Sequence, residues 1–109
     1  MRNREIVQNL NCIVEFVKKQ EEVENALLSV AGSYALFKNQ KKLLEVYEPY
    51  TKSLELIQAK YKDNEAELIK SVNELLDAEV DVTLDKITSD DFKEGLTISH
   101  MNLLNFMIE

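Results

Sequence analysis

A heptad pattern of apolar residues in the middle of the chain constrains the fold more than any other feature of the sequence. The pattern runs from Leu36 to Tyr61 with alternating spacings of four and three residues. Such spacing is typical of an α-helix that packs lengthwise against another helix. We call these residues the seam: Leu36, Gln40, Leu43, Tyr47, Tyr50, Leu54, Ile57 and Tyr61. All of them except the polar Gln40 are candidate contact residues.

Pro49 lies within the seam and does not change its phase. A proline in a helix interior removes one backbone hydrogen bond and clashes with the preceding turn, at a cost of roughly 3 kcal/mol. Two arrangements fit the pattern. Either one long helix is kinked near Pro49, or two helices meet there with Pro49 in a first turn. We expect the kinked helix, because the phase of the seam is preserved.

Two further helices are predicted on either side of the seam. The first has Asn3 as its expected N-cap and is followed by a polar connection at residues 20–25. The third is expected to begin after Asn64, with Glu67 at the capping-box spacing. The apolar stripe of the first helix, at spacings of four, three and four, consists of Ile6, Leu10, Ile13 and Val17.

The periodicity changes after Asp77. Residues 79–85 alternate strictly between polar and apolar, which is typical of a half-buried β-strand. Since a strand needs a partner for its backbone groups, either Leu96–Ile98 or another chain must pair with it. Gly95 is expected to be a left-handed stop, and Ser99 is the expected N-cap of a terminal helix.

These patterns together predict a predominantly α-helical α+β fold. It consists of a helical hairpin or bundle built on one long helix, a small C-terminal β element and a terminal helix. A chain of 109 residues is expected to form one domain, with a helical part at 1–77 and a strand-turn-helix part at 78–109. The seam has two candidate partners: the first helix of the same chain or a second copy. We expect a homodimer, because a short chain buries little surface alone.

Charge is divided unevenly along the chain. Of the formal net charge of −7, residues 1–62 contribute ten basic and eight acidic side chains, and residues 63–109 contribute three basic and twelve acidic ones. An acidic half argues against direct binding of nucleic acid, because Lys and Arg supply most of that affinity. It fits either a basic protein partner or simple solubility. The candidate acidic face consists of Glu79, Asp81, Asp85, Asp90 and Asp91.

The motif search predicts no metal site, cofactor or enzymatic activity. If a calcium loop began at Asp77, Val82 and Thr88 would stand where glycine and glutamate are needed. His100 is the only histidine and lies far in sequence from Cys12, the only cysteine, so a nucleophile–base pair has no support. Neither glycine belongs to a phosphate-binding motif.

The lone Cys12 fits a reducing compartment, because it cannot form an internal disulfide. No apolar run approaches the roughly 18 residues of a membrane span, and no signal peptide is recognisable. We therefore expect a cytoplasmic protein without membrane contact.

Short motifs across nearly the whole chain carry a resemblance to a known family. They are Asn3–Ile6, Tyr34–Leu36, Lys38–Asn39, Lys41–Leu43, Asn73–Asp77, Glu79–Val82, Lys86–Ile87, Asp90–Phe92, Ile98–Ser99 and Leu104–Glu109. In these motifs the chain resembles a family of small uncharacterised proteins, a domain of unknown function, from tailed phages and prophages of Gram-positive bacteria. It departs from the family at Ser99-His100, where Ser-Pro is expected. The resemblance implies a phage or prophage origin in a bacterial cytoplasm and transfers no site residue.

We expect from these features a non-enzymatic phage accessory or assembly protein that acts through protein–protein interaction. It would bind a phage structural protein, in the host cytoplasm or on the virion. The alternative is an inhibitor of a host nuclease or anti-phage defence complex, similar in action to an anti-CRISPR protein. Such an inhibitor would place its acidic C-terminal half in a basic groove.

Overall fold

Four α-helices and two short 3₁₀ turns account for the regular structure of the protein. The computed structural model describes all residues from 1 to 109. The molecule is elongated, with extents of 52 × 27 × 19 Å, because its longest helix has 31 residues. The helices are α1 (Asn3–Glu21), α2 (Val30–Lys60), α3 (Glu65–Asp77) and α4 (Ile98–Leu104), with 3₁₀ turns at Ser89–Asp91 and Asn105–Met107.

The seam forms one helix. α2 runs through Pro49 without interruption, so the alternative of two helices meeting there is wrong. The proline is exposed, which keeps its ring out of the packed side of the helix. Two residues after the proline, the Thr51 hydroxyl donates to the backbone carbonyl of Glu48 at 2.8 Å. The kink itself stays a prediction.

Side chains cap the helices close to the predicted positions. Asn64 accepts from the backbone N–H of Glu67 at 3.2 Å, which confirms the start of α3. Asn3 is wrong as the N-cap of α1, because that helix begins at Asn3 and Arg2 precedes it as the cap. Asn3 is buried, and its side-chain amide donates to the Leu75 carbonyl at 2.8 Å. This bond joins the start of α1 to the end of α3.

The predicted C-terminal β element does not form. Residues 79–85 are extended without a strand ladder, and Leu96–Ile98 is not a strand because Ile98 begins α4. Thr97, rather than Ser99, is the N-cap of α4. Three isolated β-bridges are present instead of a sheet. They join the C-terminal segment to the residue before α1, to the loop before α2 and to its own last residues: Arg2–Glu79, Leu28–Phe92 and Ile87–Ile108. The alternation itself does describe which side chains face inward, since Val80, Val82 and Leu84 are half-buried while Asp81 and Thr83 are exposed.

A buried side chain supplies the pairing that the predicted strand lacks. The carboxamide of Asn39, in α2, accepts from the backbone N–H of Asp85 and donates to the backbone carbonyl of Asp85, both at 2.8 Å. Asn39 is fully buried. Its amide therefore stands where the backbone of a neighbouring strand would be, and the extended segment needs no second strand at this point.

The hydrophobic core lies between α1, the first half of α2 and the C-terminal segment. The apolar stripe of α1 packs against α2, as the spacing predicts. Gly95 adopts φ +98°, which confirms its left-handed conformation, but the 3₁₀ turn before it ends at Asp91 and is not stopped by Gly95. None of the helices is both long and apolar enough to cross a membrane. The core residues are Ile6, Leu10, Ile13, Phe16, Leu27, Leu28, Ala35, Leu36, Leu43, Ile87, Leu104 and Met107.

Candidate functional site

The seam is used largely inside the chain. Leu36 and Leu43 are buried in the core between α1 and α2. The remaining apolar and aromatic members lie in the second half of the seam and are half-buried: Tyr47, Tyr50, Leu54, Ile57 and Tyr61. α3 packs beside this half, and Ile57, Tyr61 and Leu75 line an open groove of about 410 Å³ between the two helices. The buried end of the seam is therefore not available to a partner in this fold.

Asp85 and Glu79 of the acidic face form ion pairs within the chain. The ammonium of Lys38 lies 2.9 Å from one carboxylate oxygen of Asp85, and the ammonium of Lys42 lies 3.5 Å from the other. The close contact with Lys38 lowers the pKa of Asp85 and raises the pKa of Lys38. Glu79 lies 3.2 Å from the amino group of Met1. Charge that the sequence assigned to an acidic surface is thus balanced locally.

Asp91 has a structural role. One carboxylate oxygen accepts from the Ser29 hydroxyl at 2.8 Å, and the other accepts from the backbone N–H of Thr88 at 3.1 Å. These two bonds, that of Thr88 first, lower the pKa of Asp91. The acidic face therefore reduces to Asp81 and Asp90, which are exposed and make no ion pair.

His100 helps to cap α4. Its Nδ1 accepts from the backbone N–H of Thr97 at 2.9 Å, and the Thr97 hydroxyl accepts from the backbone N–H of His100 at 3.3 Å. The imidazole also meets the ring of Phe16 edge-on, with 6.0 Å between centroids. Cys12 is half-buried on α1, where it lines an open groove with Leu103 and Phe106. No group of three or more His, Cys, Asp or Glu side chains is placed to hold a metal ion.

An apolar surface between α1 and α2 is the main feature that the sequence analysis missed. We call it the α1–α2 face. Val14, Phe37 and Leu44 are exposed there at 44%, 52% and 50% of their surface. Two grooves of about 200 and 230 Å³ run along the line where the helices meet. The apolar members of the face are Val7, Val14, Val17, Phe37, Leu44 and Tyr47.

A sequence signal for this face does exist. Val7 and Val14 are seven residues apart on α1, and so are Phe37 and Leu44 on α2. Both pairs lie beside the buried stripe of their own helix, where apolar residues merely widen the predicted core side. Only the positions of α3 and α4 show that this flank is left uncovered.

Comparison of the chain with protein-family models, with curated proteins and with solved structures gives no match.

Proposed function

We propose that this protein is a non-enzymatic accessory or assembly protein of a phage or prophage that acts through protein–protein contact. The observation that carries the proposal is the α1–α2 face. Complete burial of a fully exposed apolar side chain contributes roughly 1.5–3 kcal/mol. Val14, Phe37 and Leu44 are about half exposed, so burial of the remainder of each contributes about half of that amount to a contact. The phage origin and the location in a bacterial cytoplasm or on the virion rest on the sequence resemblance.

The placement of the chain's rare reactive groups supports a role without catalysis. The His100 imidazole caps a helix through Nδ1, and Cys12 lies in a groove whose polar members are all carboxamides: Gln8, Asn9, Asn11, Asn102 and Asn105. The Thr97 hydroxyl lies 3.0 Å from His100 Nδ1, and this hydroxyl also accepts from the backbone N–H of His100, so the pair belongs to the cap of α4. Cys12 has no histidine or carboxylate in its groove that could serve as its base.

Co-purification from an induced lysogen tests the proposal. The full chain is expressed in the lysogen, purified at high salt, and its companions are identified by mass spectrometry. We expect phage structural proteins with the wild type and with Leu56→Glu, and their loss with Leu44→Glu. Leu56 is the matched control, because it is a 73% exposed leucine of the same helix outside the α1–α2 face. Retention of no phage protein by the wild type would refute the proposed role.

A second candidate is inhibition of a basic host enzyme. Asp81 and Asp90 favour it, because both are exposed without an ion pair in the half of the chain that carries the excess negative charge. Binding of this kind weakens steeply with salt. Asp81→Asn with Asp90→Asn is expected to weaken binding to a nuclease with a basic groove, whereas Glu55→Gln, an exposed control on α2, is not. Salt-independent binding would exclude this mode.

A further inference from the structure

The α1–α2 face is left open because the other helices pack elsewhere. α3 packs on the opposite flank of α2, where Ile57 and Leu75 line one groove. α4 packs on the far flank of α1. Between these flanks Val14, Phe37 and Leu44 remain about half exposed. An uncovered apolar strip shared by two helices marks a contact with another protein.

The spacing of the apolar residues indicates a helical occupant. Val7 and Val14 repeat after seven residues, and so do Phe37 and Leu44. Side chains at this spacing form knobs and holes for helices that cross at about 20°. The antiparallel α1–α2 hairpin therefore presents a surface onto which another pair of helices fits lengthwise, as in a four-helix bundle.

The charges along the edge of the face favour a second copy of the chain. Glu21 lines one of the two grooves of the face. Lys18, Lys41 and Glu48 each follow an apolar residue of the face by four residues on the same helix, which places them one turn away from it. Only Glu48 of these four makes an ion pair within the chain. A partner of one charge sign would be attracted by half of these groups and repelled by the other half. A second copy related by a two-fold axis carries the same mixture of positive and negative side chains along its edge, so each sign can meet its opposite. The excess negative charge of the chain does not oppose this contact, because it lies outside the hairpin, in residues 63–109.

The size of the face is adequate for a stable dimer. α1 has 19 residues and is therefore about 28 Å long, and two adjacent helices are about 20 Å wide. The flat footprint is about 560 Å², and accessible area exceeds it because side chains project. Specific interfaces bury roughly 1,200–2,000 Å² in total over both partners. Two hairpins packed along their full length have about 1,120 Å² of flat footprint between them and lie at the lower end of this range once projecting side chains are counted.

We propose that the α1–α2 face is a homodimer interface in which the hairpins of two copies form a four-helix bundle around a two-fold axis. The inference rests on the proposed function and gives the α1–α2 face an indirect part in it. The dimer is the form that binds phage structural proteins, so Leu44→Glu removes them by separating the two copies. It moves the dimer contact away from the seam, since Leu36 and Leu43 are already buried within one chain.

Light scattering coupled to size exclusion tests this interface on the full chain. We expect a mass of about twice 12.6 kDa at both low and high salt, because the contact is mainly apolar. Leu44→Glu is expected to raise the dimer Kd about a hundredfold, since it places a carboxylate in the buried centre of the contact. Leu56→Glu makes the same change at a more exposed leucine of α2 and is expected to leave the dimer intact.

A second variant and a second measurement guard against a folding defect. Val14→Lys tests the same face from the other helix. Thermal unfolding of the wild type is expected at a Tm that rises with protein concentration, whereas the Tm of a folded monomeric variant does not. Circular dichroism should show that both variants keep the helical signal.

Two results would overturn the dimer. One is a wild-type chain that stays monomeric up to its solubility limit, and the other is a dimer that neither Leu44→Glu nor Val14→Lys weakens. A monomer that still retains phage structural proteins would leave the proposed function standing with a different protein on the face. A dimer that retains no phage structural protein would leave the interface standing and refute the proposed function.

Discussion

Asn39 provides the sharpest test of how the C-terminal segment is held. Its carboxamide is fully buried and makes two 2.8 Å hydrogen bonds with the backbone N–H and carbonyl of Asp85. We consider Asn39→Leu, which keeps a similar volume but removes both bonds. Asp85 is then left with an unpaired donor and an unpaired acceptor beside an apolar side chain.

The expected loss of stability follows from the two backbone groups. Each buried group without a partner costs about 1–3 kcal/mol, and the half-buried position of Asp85 lets water reach it in part. We therefore expect Asn39→Leu to lower the free energy of unfolding by about 2–4 kcal/mol. That is a large part of the roughly 5–15 kcal/mol that stabilises a typical domain. The Tm should fall by about 10–25 °C for a chain of this size.

Urea denaturation followed by circular dichroism measures this quantity. The matched control is Asn73→Leu, an asparagine exposed on α3 that makes no side-chain hydrogen bond, for which we expect a change within about 0.5 kcal/mol. Asn39→Asp keeps the acceptor but loses the donor, and we expect it to destabilise the protein as well, because it buries a carboxylate. If Asn39→Leu behaved like the control, the reasoning that this amide replaces a strand partner would be wrong.

Three further predictions concern backbone approach, acid stability and capping. Gly32→Ala places a Cβ 3.0 Å from the Cβ of Asp91, so we expect a loss of about 1–3 kcal/mol in urea denaturation; an unchanged midpoint would contradict the close approach. The pKa values of Asp85 and Asp91 lie below the ordinary 3.8, so their contribution is present above that pH and lost as the pH falls through the folded-state values. Asp91→Asn should accordingly make the Tm fall less steeply as the pH is lowered below 3.8. A fall as steep as that of the wild type would contradict this prediction. Asn64→Ala removes the cap of α3 and should cost about 1 kcal/mol, whereas Asn64→Ser should restore most of it.

Local patterns were sufficient for the helical framework of this protein. The apolar stripe of α1, the unbroken phase of the seam through Pro49 and the cap at Asn64 each depend on residues within one or two turns of one another. Such short-range signals predict where a helix forms and which side is buried. They also predicted the left-handed Gly95. The location of the boundaries was less accurate, as Asn3 and Ser99 show.

Tertiary structure decided what each pattern is used for. The alternation at residues 79–85 does not distinguish a strand from an extended segment, because the difference lies in the partner, here the side chain of Asn39 from 46 residues away. The acidic face was reduced because Lys38, Ser29 and other distant groups meet its carboxylates. The α1–α2 face is open because α3 and α4 pack on other flanks. A sequence pattern determines which side chains avoid water, but only packing determines which neighbour covers them.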